Sequence, residues 1–433
     1  MTVSTIAPQS AATARRLKTL SRLAFAGCTH PRQSQRAEDY LRGLLAQPER
    51  KTVSAIAAAA GCCKQSLQHF ITDSPWDLEP VRAFAAHELE RSIGRSQAWI
   101  IDDTGQAKQG QHSPGVQRQY SGTLGRVGNC QIAVSLNLAG ESGSGPANWR
   151  LFMPESWERT RRRKPARVPP GVRHAPKGRL ALEMMEEALA WGLRPQPVLA
   201  DEGYGKNHEF RAGIKALGLS YMVEVGGALA AHPEHIRPAK LPVKATGRPT
   251  LPRIRERPRS MASLARGHAL RKVPGQRGSF LALRVRPATR GACDSDGQLE
   301  ACWLVLWRRP SGQRKYLLCN LPEGSSLKTL ARLASLRWRI ECDYREDKQC
   351  LGLAHFEGRT LAGWERHVTL CGLARLLVLA QRLSAQDASF YMALRAIRPS
   401  VIELIGRCPT CGCHSPPQIL TRKAAALSRE VTK

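Results

Sequence analysis

Two short apolar runs that end in aspartate place the tightest constraint on the fold of this chain. The first, residues 98–105, reaches Asp102 and Asp103, and the second, residues 197–204, reaches Asp201. Brief apolar runs bounded by polar residues are typical of buried strands. Because a stretch with helical apolar spacing lies between them, the pattern predicts an α/β core.

The charge of the chain indicates a polyanionic partner. The 433 residues include 66 Lys and Arg against 35 Asp and Glu, a formal net charge of +31. Such an excess favours nucleic acid or an anionic membrane surface, but no run reaches the roughly 18 to 20 apolar residues of a membrane span. No apolar leader segment is recognisable, and the 13 cysteines are scattered, which is typical of reduced thiols. We therefore expect a cytoplasmic protein that binds double-stranded DNA and no membrane.

The region before the first acidic run carries the first predicted DNA contacts. Residues 1–30 are rich in Ala, Ser, Thr and Arg and predict a basic flexible arm. Residues 31–95 predict a helical domain in which a Gly-containing turn joins two helices, as in a helix-turn-helix; the alternative is an ordinary helical hairpin. The residues expected to contact DNA on the second of these helices are Lys64, Gln65 and Gln68.

Two further basic segments could contact phosphates. Lys108 lies in a polar segment after the first acidic run, where a β-hairpin connection is the alternative. The second segment, residues 159–177, is a Pro-containing loop with Arg161, Arg162 and Arg163. Such a cluster near the acidic strands would form a phosphate clamp, and a solvated flexible loop is the alternative.

A third acidic element lies on a helix predicted from about residue 326 to 352. At about 100° per residue, Arg337, Glu341, Tyr344 and Lys348 fall within about 60° of each other, whereas Glu346 lies roughly opposite Arg337. A surface ion-pair ladder is the structural alternative. One Glu between two cations also suits a metal ligand beside a bound phosphate, because divalent metals held by carboxylates catalyse phosphodiester chemistry.

These motifs resemble the DDE transposases of bacterial insertion sequences, which have an RNase H-like catalytic domain. The branch in question carries a Tyr-Arg-Glu-Lys signature spaced Y-x₂-R-x₃-E-x₆-K, and Arg337, Glu341 and Lys348 match it. Ala334 stands where the signature has Tyr. The two acidic runs resemble the motifs of the first and second catalytic Asp, and the resemblance extends over residues 36–380.

The resemblance implies a catalytic triad of Asp103, Asp201 and Glu341 that holds two Mg²⁺ ions, with Mn²⁺ as a substitute. Strand alternation alone does not decide whether Asp102 or Asp103 is the catalytic residue. The resemblance favours Asp103, and Asp102 would then bind metal through a water or brace the backbone. Arg337, Tyr344 and Lys348 would contact DNA.

The implied reaction is cut-and-paste transposition, in which water cleaves the phosphodiester at a transposon end and the freed 3′-OH attacks target DNA. The implied partners are terminal inverted repeats, target DNA and a second copy of the chain on DNA, and the implied location is the bacterial cytoplasm, with nucleoid association when bound. A catalytically silent DNA-binding regulator and a metal-dependent endonuclease without strand transfer are the alternatives.

The predicted architecture is α/β, with an RNase H-like mixed-sheet core that a β-rich insertion interrupts. An α-helical DNA-binding domain precedes the core and a helical part follows it. The predicted divisions are a flexible arm (1–30), the helical DNA-binding domain (31–95), the first part of the core (96–225), the insertion (226–322), the second part of the core (323–385) and a helical, basic tail (386–433). Zinc binding by Cys408, Cys411, Cys413 and His414 is left open.

Overall fold

The described residues form an α/β fold around one mixed sheet. The computed structural model describes residues 3–28, 30–47, 49–159, 161–239, 254–288, 298–385 and 389–403; the four possible zinc ligands of the tail lie outside these ranges. The helices are α1 (Val3–Ala24), α2 (Pro31–Ala46), α3 (Val53–Ala60), α4 (Lys64–Thr72), α5 (Leu78–Ser92), α6 (Lys177–Ala190), α7 (Glu202–Gly205), α8 (His208–Ala216), α9 (Met261–Leu264), α10 (Leu327–Leu336), α11 (Arg339–Cys350), α12 (Leu361–Ser384) and α13 (Phe390–Glu403). The strands are β1 (Ser96–Ala107), β2 (Gln117–Ser121), β3 (Arg126–Gly140), β4 (Ser144–Leu151), β5 (Val198–Ala200), β6 (Tyr221–Val225), β7 (Ala230–Pro233), β8 (Arg259–Ser260), β9 (Ser279–Pro287), β10 (Cys302–Arg308) and β11 (Arg314–Cys319).

Five strands in the order β4-β3-β1-β5-β6 position the acidic residues. The pairings of β3 with β4 and β1 are antiparallel, whereas β1, β5 and β6 are parallel. Ile101 of β1 lies opposite Ala200 of β5. Asp102 follows Ile101 and Asp201 follows Ala200. The two aspartates therefore lie near the same edge of the sheet, where ligands commonly bind.

The segment predicted as a β-rich insertion extends this sheet. β11 pairs antiparallel with β6, and β10, β9, β7 and β8 follow in that order. The strands described within residues 226–322 thus continue the core sheet through backbone hydrogen bonds. The division of the chain into domains remains a prediction.

The described part of the predicted flexible arm is a helix, so that prediction is wrong for these residues. In α1, Leu17, Ser21 and Ala24 are buried at helical spacing, and Phe25 packs against Trp76 with 5.0 Å between ring centroids. The helix was not predicted because only a narrow stripe of α1 is apolar. A narrow stripe gives a weak periodic signal, and the Arg and Lys side chains on the rest of the surface suggested a basic arm.

Helices α3 and α4 form the predicted helix–turn–helix arrangement. Thr52 caps the amino end of α3 by accepting a hydrogen bond from the Ala55 amide at 3.1 Å. Gly61 ends the helix with a φ of 66°, in the left-handed region that favours glycine. The short turn allows α4 to begin at Lys64.

The helix predicted over residues 326–352 is interrupted, which corrects that prediction. α10 ends at Leu336 and α11 begins at Arg339. Between them, the amide of Ile340 bonds to the carbonyl of Arg337 and the amide of Glu341 to that of Trp338, both at 3.2 Å. Bonds of this i→i+3 type tighten the turn at the start of α11.

The longest described helix, α12, crosses the core and carries the apolar run predicted to be buried. Val368, Leu370 and Val378 are fully buried, and Arg375 lies among them with its side chain 2% exposed. No helix in the described ranges is long and apolar enough to cross a membrane.

Candidate active site

The predicted acidic residues line one cleft of about 510 Å³. The middle of β1, the residue after β5, one side of α11 and the turn between β2 and β3 meet there. The lining residues are Asp102, Asp103, Thr104, Gly122, Thr123, Asp201, Arg337, Glu341, Tyr344, Arg345, Lys348 and Gln349. Three elements that are far apart in sequence therefore bring together the acids and cations that were predicted to act together.

Asp102 and Asp103 project from opposite faces of β1. Asp102 lies opposite Ser135 of β3, and the Ser135 hydroxyl bonds to the hydroxyl of Tyr344 on α11 at 2.7 Å. Opposed residues share a face of the sheet, so Asp102 is on the face that α11 covers. Asp103 faces the other way, where its carboxylate accepts from Lys177 Nζ at 2.8 Å and lies 3.4 Å from the Tyr204 hydroxyl. Asp102 therefore shares Arg337 with Glu341, whereas Asp103 pairs with Lys177. Both aspartates line the cleft, and the choice between them as the catalytic residue stays a prediction.

Asp102 lies in a negative environment that one arginine does not neutralise. Its Oδ2 accepts from Arg337 at 3.0 Å, and its Oδ1 accepts from the Asp103 amide at 2.8 Å, which is the predicted bracing of the backbone. Burial raises the pKa of Asp102 to about 7; Arg337 opposes this shift, and Asp201 and Asp103 add to it. Burial is therefore the main cause of the shift, and the two neighbouring aspartates add to it.

Asp201 and Glu341 complete the carboxylate set. Asp201 is the N-cap of α7, where its Oδ1 accepts from the Tyr204 amide at 3.3 Å. Glu341 is 55% exposed and accepts from Arg337 at 3.0 Å, so Arg337 bridges Glu341 and Asp102. Within the described ranges, no three Asp, Glu, His or Cys side chains are grouped closely enough to hold a metal ion.

The chemistry of these donors nevertheless fits a hard divalent cation. The described cleft is lined by carboxylates and contains neither His nor Cys. Mg²⁺ prefers carboxylate oxygens together with water and phosphate.

Two predicted DNA-contacting residues of the cleft are already engaged within the protein. Lys348 donates to the Gly105 carbonyl at 2.9 Å and to the Thr123 hydroxyl at 3.2 Å, and burial lowers its pKa to about 8. Tyr344 is 7% exposed and its hydroxyl bonds to Ser135. Tyr344 is therefore mostly buried where it lines the cleft, and Lys348 lies at the cleft wall. The DNA contacts predicted for both residues stay predictions.

The basic residues outside the cleft differ in their availability. Lys108 donates to the Phe356 carbonyl at 2.5 Å, and burial lowers its pKa to about 8. Arg163 donates to the Val172 carbonyl at 2.6 Å, which ties the loop together. Arg162 stacks over Trp157 at 4.8 Å and Arg161 is exposed. Lys108 and Arg163 therefore hold loops in place, and of the predicted clamp Arg161 is the residue open to phosphate.

On α4, the predicted DNA contacts share the solvent-facing side. Leu67, Phe70 and Ile71 are buried against the rest of the helical region. The side chains that remain exposed include Lys64, Gln65 and Gln68. The amphipathic spacing of α4 therefore leaves these polar side chains free to meet a partner.

Sequence reasoning missed a buried ionic network that holds α11. Arg375 of α12 donates to Asp343 at 2.5 Å, to Asp347 at 2.7 Å and to Glu346 at 2.9 Å. Glu346 faces away from the cleft, as its helical position predicted. A signal was present in the sequence, because Arg375 interrupts an apolar run and needs buried acidic partners.

We expect the buried network to make stability depend on pH. Burial raises the pKa of Asp347 to about 7, against the opposing effect of Arg375. Since an unfolded Asp titrates near pH 3.9, the folded state alone keeps this proton between about pH 4 and 7, and the resulting stabilisation is lost as pH rises. The unfolding free energy of the wild type minus that of Asp347→Asn should fall between about pH 4 and 7 in urea titrations. A constant difference would contradict the shift.

A fold and site of this kind define a class of enzymes that use carboxylates at a sheet edge to act on phosphodiesters, and the comparisons with known proteins give the family. Residues 24–279 match the family model described as DDE superfamily endonuclease, and the chain belongs to this family. The family implies an RNase H-like core, nuclease-type phosphoryl transfer and dependence on divalent metal, so the predicted fold class is confirmed.

The chain is also similar to a curated protein from Microchaete diplosiphon, "Probable transposase for insertion sequence element IS701". The two are 30% identical over 186 residues, which cover 42% of this chain and 46% of the relative. The chain thus spans about half the length of this relative.

Proposed function

We propose that this protein is a DNA transposase that cleaves transposon ends and joins them to target DNA. The observation that carries the proposal is the cleft in which Asp102, Asp201 and Glu341 meet Arg337 and Lys348. Three acids within a strongly basic chain suit a site that must bind cations and polyanionic DNA together. The relative named as a transposase supports this choice within the endonuclease family.

In this proposal, Asp102, Asp201 and Glu341 hold two Mg²⁺ ions. Divalent cations supply activation of the attacking oxygen and stabilisation of the leaving oxygen in phosphodiester chemistry. Arg337 and Lys348 would contact the phosphates next to the scissile bond. Asp103 would support the site from the other face of β1, where it is held by Lys177.

The remaining basic surface would hold the DNA. The exposed side of α4 would contact the terminal inverted repeat, and Arg161 would contact flanking phosphates. Since joining two ends requires two active sites, the proposed assembly is a homodimer on DNA. The proposed divisions of the chain are those predicted from the sequence, without a flexible arm at its start.

The proposal can be tested with the full chain, Mg²⁺ and a supercoiled plasmid that carries the coding region and its flanking DNA. We expect metal-dependent cleavage and joining, and Asp201→Asn should reduce both by about 1,000-fold because it removes a metal ligand worth several kcal/mol. Asparagine can still cap α7, so DNA binding should persist. The neighbouring exposed Glu202→Gln is the matched control.

The other outcomes of this experiment have definite meanings. Cleavage without joining would support the metal-dependent endonuclease, and binding without cleavage by the wild type would support the silent regulator. Equal activity of Asp201→Asn and the wild type would show that the carboxylate cleft is not the active site.

A further inference from the structure

The hairpin formed by β2 and β3 is fixed to the cleft at its tip. The Thr123 hydroxyl lies 3.3 Å from that of Thr104 and accepts from the Gly105 amide and from Lys348 Nζ, each at 3.2 Å. Gly122 and Thr123 themselves line the cleft. Three contacts from one side chain to β1 and α11 hold the tip of the hairpin beside the acidic residues.

An aromatic side chain projects from this hairpin into solvent. Tyr120 is 64% exposed, and its cross-strand partner Val127 is 51% exposed. Tyr120 and Gly122 are two positions apart in the sequence, so their Cα atoms are at most about 7 Å apart. Apolar side chains that are contiguous, exposed and bordered by polar residues are typical of interaction surfaces.

The charge around Tyr120 favours a nucleic acid as the partner. Residues 104–140 contain no Asp or Glu. Two arginines on the hairpin, Arg118 and Arg126, are exposed. An aromatic ring among arginines is the combination that binds single-stranded nucleic acid, because the ring stacks on a base while the cations contact the backbone.

We propose that this hairpin binds the DNA strand next to the scissile phosphate and that the Tyr120 ring stacks on an unpaired base there. The proposal rests on the proposed function, since it requires DNA in the cleft. The anchored tip limits how far Tyr120 can move relative to Asp102, so the stacked base would set the position of the phosphate. Tyr120 is therefore a positioning residue.

A duplex with a short single-stranded 3′ overhang that carries 2-aminopurine provides the probe. Binding of the wild type should quench the fluorescence through stacking on Tyr120. Tyr120→Ala should abolish the quenching and weaken binding about tenfold, within the range measured for loss of one base–aromatic stack. Tyr120→Phe keeps the ring and should behave like the wild type.

Tyr391→Ala is the matched control, because Tyr391 is 55% exposed on α13. It should leave quenching and affinity unchanged. Wild-type quenching that survives in Tyr120→Ala, or an equal loss in Tyr391→Ala, would overturn the proposal. Plasmid cleavage by the wild type, measured in parallel, separates the two claims: cleavage without a Tyr120 effect rejects only the stacking, whereas absence of cleavage rejects the proposed function.

Discussion

Asp102→Asn is expected to slow metal-dependent DNA cleavage by about 1,000-fold, because the proposed site would lose a ligand of metals that stabilise the transition state by several kcal/mol. Asp103→Asn should slow cleavage by about 10- to 100-fold, the usual cost of losing a residue that supports a metal site from outside. The difference follows from the opposite faces of β1 on which the two carboxylates lie. Single-turnover cleavage of the plasmid substrate measures both rates.

The two variants control for each other, since each replaces a carboxylate by an amide of the same shape on the same strand. Asp102→Asn also retains an acceptor for Arg337, so folding should be preserved. A deeper loss of activity in Asp103→Asn would return the metal-binding role to Asp103, as the sequence resemblance suggested. Titration of Mg²⁺ into both variants provides a measurement that is independent of turnover.

The main elements of the fold could be predicted because their apolar patterns are strong. Residues 221–225 read as a strand in the sequence and form β6, and the helical period placed Glu341 on the cleft side and Glu346 away from it. These predictions need only local periodicity, which each element carries in its own sequence.

The choice between Asp102 and Asp103 could not be made from periodicity. Ile100 and Ile101 are both fully buried because both faces of β1 are covered, so the alternation that normally identifies an inner face is absent. Only the register with β3 assigns each aspartate to a face. Lys177 was missed for a related reason, since 74 positions separate it from Asp103 and no local pattern joins them.

Burial depth was the second feature that the sequence did not reveal. The helical period placed Tyr344 on the correct side of α11, but its ring packs against Trp149 of β4, with 6.0 Å between centroids. Helical spacing predicts the direction in which a side chain leaves the helix, but it does not predict how deeply that side chain is buried. The same limit applies to Lys108, whose buried amino group serves a backbone carbonyl.

Arg375→Met is expected to destabilise the protein by about 3 to 5 kcal/mol, the usual cost of removing one partner from a buried ion pair. The arginine is 2% exposed, and its loss would leave Asp343 and Asp347, each 3% exposed, without their shared cation. Methionine fills most of the volume, so the cost is mainly electrostatic. Urea unfolding at pH 8, where the acids are most ionised, should reveal the largest effect.

Arg179→Met is the control for a surface ion pair. The Arg179 side chain is 55% exposed and that of its partner Glu183 is 38% exposed, so this pair should contribute at most about 1 kcal/mol to stability. Adding Asp347→Asn to Arg375→Met should recover part of the lost stability, since one uncompensated carboxylate is removed. An Arg375→Met protein as stable as the wild type would mean that the network does not hold α11. Because α11 carries Glu341 on its opposite side, the expected loss of rigidity should also lower DNA cleavage at temperatures where the variant remains folded. Such a decrease would link the buried network to the position of Glu341, a proposed metal ligand.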